Sequence, residues 1–87
     1  MAILLTQHRV NNYDAWRPHF DAHEGTRQAH GITNPRVYRN AGDANDLLLL
    51  FDVADLQRAE EFGQSEDLRT TMEKAGVIMP PMVRVIP

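Results

Sequence analysis

The most constraining feature of this sequence is the apolar run DLLLLFDV at positions 46–53. Its length and composition predict a β-strand, in which successive side chains point to opposite faces of the sheet. One face receives Leu47, Leu49, Phe51 and Val53, and the other receives Leu48 and Leu50. Because both sets are apolar, we expect both faces of the sheet to be covered.

The rest of the chain is predicted to supply three more strands and two helical regions. The strands are expected over 3–10, 35–40 and 82–86, and the segment AGDAN at 41–45 is a turn by composition. A first helix is expected over 13–30, with Gly31 as its C-cap and a kink near Pro18, which lacks a backbone donor. A second helical region over 56–75 is interrupted at Gly63, with Asp55 and Ser65 as N-caps.

The order strand, helix, strand, strand, helix, strand is typical of the ferredoxin-like α+β fold. This βαββαβ fold has a four-stranded antiparallel sheet with both helices on one face, and the chain is expected to be one domain over residues 1–87. The helices therefore cover only one set of the side chains of strand 46–53. At about 25 cal/mol per Å² of apolar surface, exposing the other set would forfeit several kcal/mol. We expect a homodimer in which two sheets pack face to face.

Composition excludes several classes of function. The chain has no cysteine, so it cannot form disulfides, zinc–thiolate sites or iron–sulfur clusters. Its formal net charge is −3 and it has no long basic run, which argues against nucleic-acid binding. Its apolar runs are too short to cross a membrane and no signal-peptide pattern is present, so a soluble, cytoplasmic protein is expected.

One face of the predicted first helix has an unusual composition. The side chains within an arc of about 120° at 100° per residue are Tyr13, Trp16, His19, Phe20, His23, Arg27 and His30. Buried polar groups need partners or water, so this face predicts a small-molecule cavity between helix and sheet, apolar at one end and polar at the other. His19 and His30 lie at the margin of the arc and are expected to reach solvent.

Sequence positions also bear on the location of His8 and on whether His19 and His23 bind a metal ion. His8 lies on the same side of its strand as Leu4 and Thr6, which places it either towards the helix or in the dimer interface. His19 and His23 have the i, i+4 spacing of a metal chelate, but no third ligand and no HExxH motif accompany them. No metal site is therefore predicted.

The chain resembles the small dimeric α/β-barrel proteins grouped with antibiotic-biosynthesis-monooxygenase-like domains. Arg27 and Gly31 match the family pattern. So do four longer pieces: HRV at 8–10, NYDAWRPHFDAH at 12–23, VYRNAGDANDLLLLFDVAD at 37–55 and FGQSEDLRTTMEKAGV at 62–77. The resemblance implies a sheet that pairs with that of a partner subunit and a ligand cavity in each subunit. It places His8, Trp16, Phe20, His23 and Arg27 in that cavity. The Asn–Trp–His arrangement of haem-degrading relatives is not recognisable.

Together, these observations predict an enzyme that oxygenates or isomerises a small aromatic or enolisable substrate without a cofactor. His23 or His8 would be the catalytic base, because an imidazole titrates near neutral pH. Arg27 would stabilise the enolate oxygen, while Tyr13, Trp16 and Phe20 would bind the ring. The alternatives are a non-catalytic ligand-binding or stress-response homodimer, in which Arg27 meets a carboxylate, and a structural dimer with a filled core.

Overall fold

The computed structural model describes residues 2–87, apart from the side chain of Met79. Its elements, in chain order, are β1 (Ala2–Val10), α1 (Tyr13–Ala22), α2 (Glu24–Ala29), β2 (Ile32–Asn40), β3 (Asp43–Val53), α3 (Leu56–Gly63), α4 (Glu66–Ala75) and β4 (Val77–Ile86). No helix among the described residues is long and apolar enough to cross a membrane.

The four strands form one sheet in the order β2-β3-β1-β4, and every neighbouring pair is antiparallel. Strand β3 therefore lies between β1 and β2, the two strands that α1 and α2 connect. This arrangement confirms the predicted ferredoxin-like α+β fold.

The two faces of the sheet have the predicted side chains. Leu47, Leu49, Phe51 and Val53 are buried under the helices, each at most 5% exposed. Leu48 and Leu50 are half-buried and point to the opposite face, on which no helix lies. The core is thus built between the helices and one sheet face, together with Val10, Trp16, Phe20, Ile32 and Phe62.

The first helical region differs from the prediction. Instead of one helix over 13–30 with a kink at Pro18, α1 continues through Pro18 and ends at Ala22, and α2 begins at Glu24. The break lies at His23, where the backbone has φ −90° and ψ 1°. After the break, the carbonyl oxygen of Phe20 accepts a hydrogen bond from the Arg27 guanidinium, at 2.8 Å. The helical region therefore breaks at His23 and not at Pro18.

The strands are longer than predicted. Strand β2 begins at Ile32 and β3 at Asp43, so the predicted turn at 41–45 shrinks to Ala41 and Gly42. Strand β4 begins at Val77 and continues through Pro80 and Pro81, where the register with β1 shifts. Proline is tolerated there because β4 lies at the sheet edge.

The predicted helix caps are present. Asp55 and Ser65 accept hydrogen bonds from backbone amides at the starts of α3 and α4, and Gly76 ends α4 with φ +81°. The guanidinium of Arg58 in α3 donates to the carbonyl oxygen of Ala29, the last residue of α2. This contact links the two helical regions next to the site described below.

Candidate functional site

A cavity of about 340 Å³ lies between the helices and the sheet, at the lower end of the about 300–1,000 Å³ range that is usual for small-molecule sites. Five of the six predicted site residues line it: His8, Trp16, Phe20, His23 and Arg27. Most of the remaining wall is apolar, with contributions from Phe51 of β3 and from α3 and α4. The structure therefore brings these five side chains to one cavity, and their roles there stay predictions.

Trp16 and Phe20 form an aromatic wall. They lie four residues apart on α1, which places them one above the other on the same helix face. Their ring centroids are 4.8 Å apart at an interplanar angle of 27°, and Phe51 lies 6.1 Å from Phe20. The two rings are stacked on each other, and together they form an apolar part of the cavity wall.

Tyr13 does not line the cavity. Its ring centroid is 5.8 Å from that of Trp16, and the guanidinium carbon of Arg39 lies 3.9 Å from the centre of its ring. Its hydroxyl accepts a hydrogen bond from Arg17, at 3.2 Å. The structure thus places Tyr13 in support of Trp16, rather than in the ligand-contact position that the sequence predicted.

Arg27 is a buried cation on the cavity wall. It is 5% exposed, and its guanidinium carbon lies 3.9 Å from the centre of the Phe20 ring. Burial lowers the pKa of the guanidinium, and the negative charges of Glu24 and Asp21 raise it again in part. The guanidinium is nevertheless charged, because arginine is not deprotonated in proteins. Within residues 2–87, Arg27 forms no ion pair with a carboxylate. Its one hydrogen bond, to the Phe20 carbonyl, leaves donors for an anion in the cavity.

His23 is paired with a carboxylate that sequence analysis did not single out. Its Nε2 lies 2.7 Å from Oδ2 of Asp67, in the first turn of α4. An ionised carboxylate only accepts hydrogen bonds, so Nε2 is the nitrogen that donates a proton to Asp67. The His23 side chain is 11% exposed, whereas that of Asp67 is 66% exposed. Asp67 therefore orients the imidazole from the solvent side.

Of the two positions that sequence analysis allowed for His8, the helix side of β1 is the one that the structure shows. His8 is 7% exposed, and its ring makes an edge contact with Trp16 at 5.8 Å. Its Nδ1 is buried and has no hydrogen-bond partner among the described residues. Burial lowers the pKa of His8 below the ordinary value of 6.5. A hydrogen bond with its own backbone and the negative charge of Asp46 raise the pKa again, but only in part. The ring is therefore neutral at neutral pH.

The structure separates the other two histidines from the cavity. His19 is exposed, as predicted. His30 is half-buried and reaches solvent only in part, because its ring packs 5.3 Å from Phe62 and its Nδ1 donates a hydrogen bond to the Thr26 carbonyl at 2.8 Å. No group of three or more histidine, aspartate or glutamate side chains suited to a metal ion occurs among residues 2–87.

The distribution of polar groups in the cavity also differs from the prediction. Sequence analysis placed an apolar end and a polar end along one helix face. In the structure His8, from β1, contacts Trp16, whereas Arg27 lies against Phe20, so a polar side chain adjoins each of the two aromatic residues. Asp67 was missed as a site residue because it is 44 positions from His23, and its only sequence signal was the charge of a helix first turn.

Solved structures with this fold carry names related to oxygenation. A protein from Bordetella bronchiseptica, provisionally named an antibiotic biosynthesis monooxygenase, has a TM-score of 0.78 at 14% identity, covering 99% of this chain and 94% of that one. A protein from Caulobacter crescentus with the same provisional name has a TM-score of 0.74 at 10% identity, covering 98% and 86%. A variant of SnoaB, a cofactor-independent oxygenase from Streptomyces nogalater, has a TM-score of 0.73 at 9% identity, covering 99% and 90%.

These similarities extend over nearly the whole of each chain. No protein-family model and no curated protein matches the sequence. At identities below one fifth, the structural matches establish the fold and leave the reaction to be inferred from the site. The chain has the ferredoxin-like fold of proteins named antibiotic biosynthesis monooxygenases, as its sequence resemblance predicted.

Proposed function

We propose that this protein is a cofactor-independent enzyme that abstracts a proton from a small aromatic, enolisable substrate. The observation that carries the proposal is Arg27, a buried guanidinium on a cavity wall that has no carboxylate partner among the described residues. A buried charge without a counterion favours an anionic ligand or an anionic transition state. The aromatic side chains of Trp16 and Phe20 beside it favour a ligand with an apolar, aromatic body.

His23 is the proposed proton acceptor. Its Nε2–H is held by Asp67, so the lone pair of Nδ1 is available as a base. Removal of a proton next to a carbonyl group places negative charge on the carbonyl oxygen, which becomes an enolate. Arg27 would donate hydrogen bonds to that oxygen and stabilise the charge as it develops. The wall of Trp16 and Phe20 would keep the ring in place.

The enolate has two outcomes that need no additional reductant. Reprotonation at another carbon gives an isomer. Reaction with oxygen converts a methylene group next to conjugated rings into a carbonyl group: one oxygen atom is inserted, the other leaves as water with both hydrogens, and the substrate supplies all four electrons. The similarity in fold to SnoaB, a cofactor-independent oxygenase, supports the second outcome.

The proposed working form is a homodimer formed through the open face of the sheet. This face carries Ile3, Leu5, Tyr38, Leu48, Leu50, Met82 and Ile86. Tyr38 is 52% exposed and Ile86 is 44% exposed in the single subunit. A second copy supplies a face of the same chemistry, and a sheet-on-sheet interface of about 800 Å² per partner is of ordinary size.

The proposal is tested by hydrogen exchange into 2-tetralone and anthrone, two aromatic ketones with an acidic methylene group. Incorporation of deuterium from D₂O is followed by NMR under nitrogen, and oxygen uptake is then measured in air. Wild-type protein should accelerate exchange above the buffer rate. Replacement of a general base typically removes at least about a hundredfold of rate, which is the loss expected for His23→Ala. His19→Ala, the same change at an exposed position of α1, should leave the rate within a factor of about two.

Asp67 provides a second arm of the experiment. Asp67→Ala should slow exchange by about tenfold, the factor that corresponds to about 1.4 kcal/mol. Glu66→Ala removes a neighbouring acid from the same helix turn and should have little effect, because Glu66 pairs with Arg69. Ligand binding without any catalysed exchange would support the non-catalytic alternative. An unchanged rate in His23→Ala would exclude His23 as the base.

A further inference from the structure

His23, the proposed base, is held by two contacts that come from one short segment of the chain. Its Nε2 lies 2.7 Å from Oδ2 of Asp67, in the first turn of α4. Its imidazole also packs beside the ring of Phe62, in the last turn of α3, with ring centroids 5.5 Å apart and an interplanar angle of 34°. Phe62 is buried, at 5% exposed. The position of the imidazole therefore depends on how the end of α3 is placed relative to the start of α4.

Ser65 connects these two helix ends with one side chain. Its Oγ donates a hydrogen bond to the carbonyl oxygen of Phe62, at 2.8 Å, and accepts one from the amide of Leu68, at 3.1 Å. The amide of Ser65 also donates to the Phe62 carbonyl, at 3.1 Å. A hydroxyl group can form both side-chain bonds at once, because it is a donor as well as an acceptor. Ser65 thus fixes the backbone of Phe62 and caps the helix that carries Asp67.

The residues between Phe62 and Ser65 add little to this connection. Gly63 has no neighbouring group within 4 Å of the position that a Cβ would take, so its backbone is free to adopt other conformations. The amide of Gln64 bonds to the carbonyl of Glu60 and so belongs to the end of α3. Within the described chain, every hydrogen bond from α3 to α4 or its cap involves Ser65. The loss of its hydroxyl group would therefore loosen this junction.

We infer that Ser65 is a positioning residue for His23, which holds Phe62 and Asp67 in the arrangement that orients the imidazole in the cavity. The inference rests on the proposed function, because it takes His23 as the base. Ser65 is not among the residues that line the cavity, so it acts through its neighbours and not on the ligand. A displacement of about 1 Å in a reacting group can cost about a hundredfold in rate, so a hydroxyl group behind the site can govern the reaction.

The test compares Ser65→Ala, which loses both side-chain bonds, with Ser65→Thr, which keeps a hydroxyl group. Rates of deuterium exchange into 2-tetralone are measured over a range of ketone concentrations to separate kcat from KM. Ser65→Ala should lower kcat by about ten- to a hundredfold and change KM less than about threefold, because the cavity wall keeps its side chains. Ser65→Thr should keep kcat within about threefold of the wild type, because threonine also donates and accepts. A loss in Ser65→Thr as large as in Ser65→Ala would overturn the inference.

Two further variants separate positioning from stability. Asp55→Ala removes the cap of α3, which has no hydrogen bond to His23, so it should lower stability much as Ser65→Ala does but keep kcat within about twofold of the wild type. Ser65→Asp keeps an acceptor for the first turn of α4, but an ionised carboxylate cannot donate to the Phe62 carbonyl, so kcat should still fall. If Asp55→Ala loses as much rate as Ser65→Ala, the effect is one of stability and the inference is wrong. A wild-type rate in Ser65→Asp would overturn the link through Phe62.

A measurement without substrate separates this inference from the proposed function. In proton–nitrogen NMR spectra, the Nε2–H of His23 that donates to Asp67 gives a resonance that disappears in His23→Ala. This resonance should be lost or broadened in Ser65→Ala and retained in Ser65→Thr and Asp55→Ala. If it behaves in this way but the wild type does not accelerate exchange, the proposed function is wrong and the positioning of His23 by Ser65 stands. If the wild type accelerates exchange and Ser65→Ala keeps both the resonance and kcat, the proposed function stands and the inference is wrong.

Discussion

At the scale of single residues, the polar groups of the cavity differ in the hydrogen-bond partners that they have. His23 has Asp67 as a partner, Arg27 has only the carbonyl oxygen of Phe20, and Nδ1 of His8 has no partner among residues 2–87. Burying a polar group without a partner lowers stability, usually by about 1–3 kcal/mol. A packed core built for stability alone would avoid this arrangement. The cavity therefore has the features of a binding site rather than of a filled core.

The burial of His8 predicts how stability depends on pH. In the unfolded chain His8 has its ordinary pKa of 6.5, whereas in the folded protein its pKa is lower. Between these values the unfolded state binds a proton that the native state does not, so the free energy of unfolding falls as the pH falls below about 6.5. The contribution is at most about 1.4 kcal/mol per pH unit.

The measurement is urea unfolding at several pH values between 7.5 and 5, at one protein concentration. His8→Phe should lose less stability than the wild type over this range, because it has no imidazole to protonate. His19→Phe makes the same change at an exposed position of α1 and should keep the slope of the wild type. If the free energy of unfolding changes equally with pH in the wild type and in His8→Phe, the lowered pKa of His8 is contradicted.

At the scale of elements, the break between α1 and α2 brings the catalytic candidates together. His23 lies at the break and reaches Asp67 on α4, while Arg27, one turn later, reaches back to Phe20 on α1. A continuous helix would pair the Phe20 carbonyl with the amide of residue 24. At the break, that carbonyl oxygen accepts hydrogen bonds from the His23 amide and from the Arg27 side chain, which is thereby held against Phe20.

Two glycines of the helical layer should respond in opposite ways to alanine. Gly25 lies in α2, and an added Cβ there would meet no neighbouring group within 4 Å, so Gly25→Ala should raise the free energy of unfolding by about 0.5–1 kcal/mol. Gly76 has φ +81°, and an added Cβ would lie 3.3 Å from Nδ2 of Asn11. Gly76→Ala should therefore lower the free energy of unfolding by about 1–2 kcal/mol.

Urea unfolding of the two variants at pH 7.5 checks this pair. The substitution is identical, so any difference reports the backbone conformation and the space at each position. A loss of stability in Gly25→Ala would show that α2 needs the flexibility of glycine to form the break at His23.

At the scale of the whole molecule, the open face of the sheet is an apolar surface that no helix covers. Large apolar side chains lie side by side on all four strands of this face, including Tyr38, Leu48 and Met82. Contiguous apolar patches on monomeric proteins rarely exceed a few hundred Å², and larger ones mark interaction sites. The proposed homodimer would cover this face and leave the helix-side cavity of each subunit in place.

A charge placed on this face should disrupt the proposed dimer. Leu48→Asp puts a carboxylate between Gln7 and Tyr38 on the open face, so the variant should sediment as a monomer at micromolar concentration. Leu56→Asp makes the same change at the exposed start of α3 and should remain a dimer. Wild-type protein that sediments as a monomer at that concentration would exclude this assembly.

The sequence by itself determined the fold and the side of the sheet on which the site lies. The alternation of β3 put Leu47 and Leu49 on one face and Leu48 and Leu50 on the other, and the helical spacing of Trp16, Phe20 and Arg27 placed them on one side of the helical region. These properties are local, because strand and helix periods are set by backbone geometry within a few residues. For the same reason the caps Asp55, Ser65 and Gly76 were also predictable.

Only the tertiary structure decided the break at His23, the pairing of His23 with Asp67 and the isolation of Nδ1 of His8. Each depends on a contact between elements that are distant in sequence, such as the 44 positions between His23 and Asp67. Their geometry is fixed by how α4 packs beside α1 and by where β4 shifts its register opposite His8. No local pattern encodes those distances, because they follow from the packing of the whole chain at once.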